Sequence, residues 1–555
     1  MGNTNTQNKS RSRFFSGVMA LTLGNLFVKI VGLILKIPLR TLLTDAGMTY
    51  YNDAYDIYAW LFTIATTGLP VAVSMMISEG RVKGNVRENR KIFRITMVLF
   101  VLIGLIGTAV MFYGAPMFEK AYKIENTSYC IMAVAPTLFF ICIASALRGY
   151  FQGYQNMMPT AISEVIEAVG KLVLGLLFAG YAVERGEPLY VVAAYAALGL
   201  TIGVAAGMVY LLIAKLVFRP ERYDIEYGAL ADESKTVRST ATIVKTLMII
   251  AIPITLSSSV TSFTSLIDSI LLSRRLQDIG YTEEIVKVMI GNYKTCAVTL
   301  TNLPPTLIAP ITAAILPLMS AAYASGNRER MKKVMDSSLL ITSIIELPCA
   351  LGLSVLAEPV ITLIFGTGTS AETAAPLLSV LSLSVFFGSL MSITGAFLQA
   401  HKLERKPLIS IVIGSIVRIT ATYILVGIPA LNIYGAPIVS ILGVFVISMC
   451  NFYFIKKHLG FIPDFGRILI RPFAAAVICA LTALVSYRVF DALLDLVAPK
   501  LARLAVVFAI LFAMVVYFFV IFLFRALRRE DVMMLPKGDT ICRLLEKMHL
   551  LKKEA

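Results

Sequence analysis

The sequence predicts an all-α integral membrane protein with about fourteen transmembrane helices, as two pseudo-symmetric six-helix lobes followed by two extra helices. Three observations carry this prediction. First, 57% of the 555 residues are hydrophobic and only 15% are charged, too few polar residues to cover a soluble protein of this size. Second, the apolar residues form unbroken runs of bilayer-spanning length, without the alternation of barrel strands. Third, one residue pattern occurs twice, at a constant offset of 247 residues.

The predicted spans share a long apolar stretch with a polar connection at each end. They lie at residues 17–40, 52–79, 92–113, 127–150, 160–182, 189–214, 246–272, 288–322, 334–357, 374–400, 407–427, 433–455, 470–490 and 504–525.

The repeated pattern relates the two halves of the chain. Its matching positions are Leu69-Pro70 with Leu316-Pro317, Phe139-Phe140 with Phe386-Phe387, Gln152 with Gln399, Ile162-Ser163 with Ile409-Ser410, and Lys171 with Arg418. A repeat of this length, built from membrane spans, is typical of transporter lobes. Because each copy contains an even number of helices, both enter the membrane from the same side.

Five segments follow from this repeat. They are an N-terminal lobe at 1–214, a cytoplasmic linker at 215–245, a C-terminal lobe at 246–457, helices 13 and 14 at 458–530, and a cytoplasmic amphipathic tail at 531–555.

The basic residues predict the sidedness of the chain. Lys and Arg crowd the even-numbered connections, as in the run from Arg81 to Arg94, whereas the turn from Gly427 to Gly435 has no charge. Since cytoplasmic connections are the basic ones, both termini are predicted to be cytoplasmic in a multi-pass bacterial plasma-membrane protein. The net charge of +16 is then mostly topological, so we expect no nucleic acid partner.

The first predicted helix carries a cationic stripe. Asn25, Lys29, Lys36 and Arg40 fall within about 60° of one another at roughly 100° per residue, and the predicted span 17–40 contains no acid. Three cations on one side of a span favour a cavity-lining position over a lipid-facing one. They indicate an anionic ligand, with phosphate or pyrophosphate as the usual chemistry.

The seventh and eighth predicted helices add polar candidates. Asp268 lies on a hydroxyl-rich face of helix 7, with Ser257, Thr261, Thr264 and Ser265, and Arg275 follows one heptad later. Asp268 either pairs with a first-helix cation or is a candidate cation site for a coupling ion. Helix 8 contributes Lys294 and Asn302, and its prolines at 304, 305, 310 and 317 predict a bent helix.

Two further charged groups are predicted to be structural. Glu164, Glu167 and Lys171 share a face of helix 5, and the spacing favours a Glu167–Lys171 ion pair. Arg418, the repeat partner of Lys171, is predicted to pair with Glu346.

The sequence contains no pattern that indicates an enzyme. The three histidines lie in predicted connections or the tail, the seven cysteines lack metal-ligand spacing, and no phosphate-binding Walker loop occurs. We therefore expect no cofactor, and the residues leave coupling to sodium, protons or membrane potential open.

Two runs carry a family resemblance: Leu21-Thr-Leu-Gly-Asn25-Leu-Phe-Val-Lys29-Ile-Val-Gly32-Leu and Ile64-Ala-Thr-Thr-Gly68-Leu-Pro70-Val-Ala-Val-Ser74. With the fourteen-helix plan, they resemble the stage V sporulation protein B branch of the multidrug/oligosaccharidyl-lipid/polysaccharide exporter superfamily, which is similar to the lipid II flippases. The resemblance covers residues 13–530.

The resemblance implies a flippase for an undecaprenyl-pyrophosphate-linked saccharide such as the lipid II peptidoglycan precursor, working by alternating access. It implies a central cationic cavity lined by helices 1, 2, 7 and 8, and a groove for the lipid tail at helices 13 and 14. The family's first-helix arginines correspond to Lys29 and Lys36 here. Its sodium site finds Asp268 in helix 7 but no acid in helix 11.

Other functions remain open from the sequence. A flippase for another polysaccharide or teichoic acid precursor fits equally, whereas a cation-coupled multidrug exporter would repel its drugs from the cationic stripe. A non-transporting scaffold for wall-synthesis enzymes would not need cations in mid-membrane. We expect a monomer that contacts membrane lipids and cell-wall synthesis enzymes.

Overall fold

The structure is a computed structural model that describes residues 2–218, 237–308, 327–366, 369–460, 462–497 and 503–524, together with 319, 323, 526–527 and 542–543. Three predicted features lie outside these residues: most of the charged linker, Pro310 and Pro317 of helix 8, and most of the amphipathic tail.

The secondary structure of the described residues is entirely helical. The α-helices are α1 (Gly2–Thr66), α2 (Gly68–Val82), α3 (Val86–Tyr122), α4 (Thr127–Val134), α5 (Thr137–Gly153), α6 (Met158–Glu184), α7 (Leu189–Val217), α8 (Thr240–Asp278), α9 (Glu283–Asn292), α10 (Arg328–Val355), α11 (Ala357–Phe365), α12 (Thr369–Leu381), α13 (Leu383–Ala400), α14 (Arg405–Leu425), α15 (Gly435–Leu459), α16 (Arg471–Val497) and α17 (Ala505–Leu523). Two π-helices, Tyr293–Val298 and Gly466–Ile470, follow α9 and precede α16.

The predicted all-α membrane fold is confirmed. Ten helical stretches of the described chain are long and apolar enough to cross a membrane. The remaining predicted spans lie in α1 with α2, in α6, and at α9 with the π-helix that follows it. Two of these spans differ from a uniform apolar helix. Helix α6 contains the charged residues Glu164, Glu167 and Lys171, and the π-helix interrupts the eighth span.

The first two predicted spans are joined by helix rather than by a loop. The sequence predicted a connection at residues 41–51, but α1 continues through it, with non-helical backbone at Thr44 alone (φ 60°, ψ 176°). A positive φ is unfavourable for a β-branched residue, so surrounding packing holds this kink. The consequence is that Asp45 lies one turn after Arg40.

The chain forms two compact units, Met1–Gly291 and Asn292–Ala555. The first unit includes α8, the helix that the sequence repeat assigns to the second lobe. Within it, α6 and α7 approach closely at glycines: a Cβ on Gly199 would lie 2.3 Å from the Cα of Gly175, so only glycine fits there. Small residues at membrane helix contacts let backbones pack this way.

The second unit has its own buried core. Aromatic and aliphatic side chains of α10, α13 and α15 form it, including Phe397, Leu398 and Ile455. Asn451 of α15 donates hydrogen bonds to Thr394 Oγ1 (3.0 Å) and to the Met391 carbonyl (3.4 Å) of α13. The Asn451 amide thus links α13 to α15 through this core.

Candidate functional site

The first half of α1 has three distinct faces. Its packed face is buried, and its apolar face and cationic face are both accessible to solvent. The packed face comprises Val31, Leu35 and Leu39; the apolar face comprises Leu23, Phe27, Ile30 and Ile34; the cationic face comprises Asn25, Lys29, Lys36 and Arg40.

The cationic face points away from the side of α1 that suits lipid. At 100° per residue, its centre lies about 140° from the centre of the apolar face. Asn25 and Lys29 are exposed, while Lys36 and Arg40 are half-buried. A helix with one apolar exposed face and a separate charged exposed face fits a position between lipid and a wet cavity.

Arg40 is not an isolated cation. Its Nε donates a hydrogen bond to Asp45 Oδ1 at 2.5 Å, and its Nη2 approaches Asp45 Oδ2 at 3.4 Å. The prediction that the first helix ends at Arg40 and has no acid is therefore wrong, because α1 continues past Arg40 and includes Asp45. Arg40 is held by a carboxylate beside the kink at Thr44.

The hydroxyl-rich face of α8 is largely satisfied within its own helix. Thr264 Oγ1 donates to the Val260 carbonyl at 2.7 Å, and Ser265 Oγ to the Thr261 carbonyl at 3.2 Å. Such back-bonding uses the donor of a hydroxyl and leaves its oxygen as an acceptor. Asp268 lies half-buried one turn beyond Thr264.

Arg275 lies in an ion cluster at the C-terminal end of α8. Its Nη1 is 3.2 Å from Asp278 Oδ2, and Lys123 Nζ is 3.0 Å from Asp278 Oδ1. Ser273 Oγ donates to the Tyr122 carbonyl at 2.6 Å, and Arg274 Nε to the Ala121 carbonyl at 2.5 Å. This C-end cluster ties α8 to the connection between α3 and α4.

A second cluster ties the other end of α8 to α2 and α3. Arg238, just before α8, pairs with Glu88 and lies 3.8 Å from Glu79. Lys91 Nζ donates to the Arg238 carbonyl at 2.8 Å. This N-end cluster and the C-end cluster were both missed, because their partners lie about 150 residues apart in sequence.

Helix α9 packs against the second half of α1. Thr49 Oγ1 donates to the Lys287 carbonyl at 2.5 Å, and Lys287 Nζ pairs with Glu283 at 2.7 Å and Glu284 at 3.0 Å. A Cβ on Gly291 would collide with the Asp45 carbonyl. The start of the eighth predicted span thus packs directly against the region of the kink.

Lys294 and Asn302 belong to the second unit. Lys294 is half-buried in the first π-helix, and its carbonyl accepts a hydrogen bond from Thr299 Oγ1 at 3.1 Å. Asn302 is exposed at the end of the helical turn Thr299–Thr301. A π-helix within a span is frequent at functional sites, so both residues remain candidates for substrate contact.

The predicted Glu167–Lys171 pair is wrong. Arg148 of α5, which is 9% exposed, donates to Glu167 Oε2 at 3.0 Å and to Ser163 Oγ at 3.1 Å. Its Nη1 also lies 4.0 Å from Glu164. We call these residues the Arg148 network. The signal was present in the sequence, because Arg148 is an ionisable residue inside a predicted span.

Lys171 lies beside aromatic rings, and it makes no direct ion pair with Glu167 among the described contacts, although Glu167 is near enough to act on its charge. Its Nζ lies 4.6 Å from the ring centroid of Tyr55 and 5.8 Å from that of Tyr51. A cation over an aromatic face is stabilised by the quadrupole of the ring.

The predicted Arg418–Glu346 pair is also wrong. Glu346 is fully buried in α10, and neither of its carboxylate oxygens has a hydrogen-bond partner among the described residues. Arg418 packs along Gly443 of α15, where an added Cβ would lie 3.1 Å from Arg418 Cδ. The sequence placed both residues in the correct unit, but it could not predict the direction in which their side chains point.

An apolar groove of about 470 Å³ lies in the first unit, between α1, α2, α3 and α8. Trp60, Leu69, Ile103, Met248 and Phe263 are among its lining residues, and the rings of Trp60 and Phe263 are 5.1 Å apart. A lining of this kind suits a hydrocarbon chain rather than a sugar or phosphate group. No cluster of three metal-ligating side chains occurs in the part of the chain described.

Spans that carry buried ion pairs and a separate charged face define a multi-spanning membrane transporter. The comparisons with known proteins agree with this class. The profile of the polysaccharide biosynthesis protein family matches residues 14–323, more than half of the chain, and the chain belongs to that family. A second profile, MatE, matches residues 295–424.

Two Bacillus subtilis (strain 168) proteins are similar to this chain. Stage V sporulation protein B is 24% identical over 538 residues, covering 95% of this chain and 98% of the relative. Lipid II flippase MurJ is 24% identical over 467 residues, covering 81% and 84%. The solved structure of lipid II flippase MurJ in an inward closed conformation is similar in fold, with a TM-score of 0.66, 15% identity, and coverage of 90% and 98%.

These findings confirm the predicted branch of the superfamily. The relatives are membrane transporters of the flippase type and not enzymes, and this chain is a multi-pass membrane protein.

Proposed function

We propose that this chain moves an undecaprenyl-pyrophosphate-linked saccharide, with the lipid II peptidoglycan precursor as the leading candidate, from the inner to the outer leaflet by alternating access. The observation that carries the proposal is the cationic face of α1. Lys29 and Lys36 project from a side of a membrane helix that is neither packed nor apolar. A pyrophosphate is the part of such a lipid that two lysines would recognise.

The charge of the cationic face also disfavours the drug-exporter alternative. The MatE match at residues 295–424 supports that alternative, but a site built from Lys29 and Lys36 would repel cationic drugs. A polysaccharide or teichoic acid precursor on the same carrier lipid would share the pyrophosphate. It would differ only in the sugar, for which the described residues offer no distinguishing contact.

The test is complementation of a strain depleted of its own lipid II flippase. Lys29→Ala and Lys36→Ala should each abolish growth while the protein remains expressed, and Lys→Arg at either position should largely preserve it. Loss of one charge-assisted contact should weaken binding of purified protein to lipid II roughly 10- to 100-fold. Ile30→Ala is the matched control, because Ile30 lies on the apolar face of the same turn.

Full growth of the double Ala variant would remove the proposed role of the cationic face. Failure of the wild type to complement, with export of a cationic dye from the cells, would favour the exporter. Failure without dye export would point to a precursor other than lipid II.

The role of Asp268 separates two forms of this mechanism. If Asp268 binds a coupling cation, Asp268→Asn should remove the ion dependence of transport and leave lipid II affinity nearly unchanged. If it neutralises a lysine of α1, the same change should tighten binding of the anionic lipid and slow its release. We favour the ion pair, because helix 11 has no acid to complete a cation site. Unchanged affinity with lost sodium dependence would contradict it.

Alternating access requires the contact between the second and eighth spans to open and close. The predicted sidedness puts the hydrogen bond from Thr49 to the Lys287 carbonyl at the outer face. A short thiol reagent should crosslink cysteines at these two positions only in the inward-open state, and the crosslink should block transport. The two single-cysteine variants serve as controls. Complete crosslinking with undiminished transport would contradict the rocking motion.

A further inference from the structure

The acid Glu346 occupies an unusual position in the second unit. It lies within the apolar stretch of α10 and is 0% exposed. Both carboxylate oxygens lack a hydrogen-bond partner among the residues that the structure describes. An ionised carboxylate in such a place costs several kcal/mol.

The groups that face Glu346 do not supply a positive charge. Ser389 of α13 faces the carboxyl, although the two do not meet in a regular hydrogen bond. Ser343 lies one turn earlier on α10, and its hydroxyl is likewise buried without a partner. The nearest titratable neighbour is the thiol of Cys349, which in turn faces Cys479 of α16; neither thiol carries a charge at neutral pH.

The other elements packed on α10 hold their charges elsewhere. Arg467 of the second π-helix faces Asp336, ten residues and about 15 Å before Glu346 along the helix. Glu358 of α11, Glu372 of α12, and Arg471 and Arg488 of α16 are exposed. Tyr517 of α17 is uncharged at neutral pH.

Glu346 also lies where the helix hydrogen bonding is interrupted. Pro348 has no N–H and cannot bond to the Ile344 carbonyl four residues earlier. Tyr517 Oη donates to that carbonyl at 2.7 Å. The turn that carries Glu346 is therefore held from α17 and can rearrange by breaking one side-chain hydrogen bond.

We propose that Glu346 is a proton-binding site, occupied by a proton while the turn between Ile344 and Pro348 is closed. The protonated carboxyl has an O–H to donate, and the Ser389 and Ser343 oxygens are acceptors within its surroundings. Release of the proton to water leaves a carboxylate that requires solvent, so deprotonation is linked to opening of α10 against α13 and α17. This site is independent of the identity of the transported lipid.

The carboxyl itself can be observed by infrared difference spectroscopy on the full chain in lipid nanodiscs. The wild type should show a protonated-carboxyl band at neutral pH that Glu346→Gln removes. Glu358→Gln is the matched control, since Glu358 lies on the neighbouring helix in an exposed position, and it should leave the band intact. Ser389→Ala keeps the acid and should shift the band without removing it.

Thermal unfolding of the same samples provides the second readout. From about pH 5 to about pH 9 the wild type should lose more stability than Glu346→Gln, because the folded chain holds a proton that the unfolded chain has released. Glu358→Gln should follow the wild type. A wild-type spectrum with no band sensitive to Glu346→Gln or to Ser389→Ala would overturn the proposal. So would stabilisation of the wild type by sodium that Glu346→Gln abolishes, since that outcome would identify a metal cation in place of the proton.

Discussion

The two halves of the repeat differ in how their buried ionisable groups are paired. In the first unit, Arg148 is surrounded by Glu167, Glu164 and Ser163. At the repeat offset of 247 residues, Arg148 corresponds to Gly395 and Glu167 to Gly414. In the second unit Glu346 is buried without a charged partner, and its counterpart in the first unit is Leu99.

This difference shows that the repeat preserves helix packing better than it preserves ion pairing. Gly414 is a contact point, since a Cβ there would collide with Ile447. The cation at Lys171 and Arg418 is common to both units, whereas the Arg148 network and Glu346 each occur in one unit only. A charge with several partners is typical of a structural role, and a charge without them is a candidate for proton or ion binding.

The largest effect should come from breaking the Arg148 network. Arg148→Ala leaves the half-buried carboxylates of Glu164 and Glu167 without the buried arginine that pairs with them, which should cost about 3–5 kcal/mol of stability. Thermal unfolding in detergent would measure the loss. Arg185→Ala is the control, because Arg185 is exposed and only overlies Tyr181. Equal losses for both variants would contradict the structural role.

The same network offers a sharper form of this test. If its role is structural, replacing Arg148, Glu164 and Glu167 together by leucine should be far milder than Arg148→Ala, because no carboxylate is left without its cation. A triple variant as unstable as the single one would show that the network contributes more than charge compensation.

The second prediction concerns a substitution that gives the second unit the residue found at the matching position of the first unit. Glu346→Leu introduces the residue found at position 99 and removes an acid without a charged partner. We expect stability to stay level or rise by about 1–3 kcal/mol, together with loss of transport in the complementation assay. Destabilisation comparable to that of Arg148→Ala would mean that Glu346 is structurally paired after all.

The sequence predicted the fold well because the bilayer constrains it strongly. A span must be apolar and roughly 20 residues long, so apolar runs reveal helices directly. The continuity of α1 was missed because residues 41–51 are polar enough to suggest a loop, and with it the Arg40–Asp45 pair was missed. Helix composition does not report whether a connection between spans is itself helical.

Only part of the site was predicted, namely the part that depends on spacing within a single helix. Periodicity within one helix identified the cationic face, because Asn25, Lys29, Lys36 and Arg40 share a helix. It failed for Glu167, whose partner Arg148 lies on another helix, and for both clusters at the ends of α8. Partners on different helices follow from packing, which a single sequence does not display.

The third prediction concerns Lys171. Of the five matches in the repeat, Lys171 with Arg418 is the one in which both units have a cation. Lys171→Met retains the packing of the stem and removes the charge over Tyr55 and Tyr51, so we expect a loss of roughly 1 kcal/mol. Lys171→Arg should lose less. Chemical unfolding monitored by tyrosine fluorescence would measure both. A loss of stability as large as that of Arg148→Ala would instead support the predicted ion pair between Lys171 and Glu167.

The smallest effect is expected from an exposed pair at the C-terminal end of α8. Lys123 and Asp278 are 3.0 Å apart, and both side chains are more than one-third exposed. Solvent and salt screen such a pair, so Lys123→Ala should cost no more than about 0.5 kcal/mol. The cost should also vanish at high ionic strength, whereas that of Arg148→Ala should persist because the Arg148 network is shielded from solvent. Unfolding of both variants at low and high salt compares the two regions directly. A salt-resistant loss of several kcal/mol from Lys123→Ala would show that the C-end cluster is as strongly coupled as the buried network.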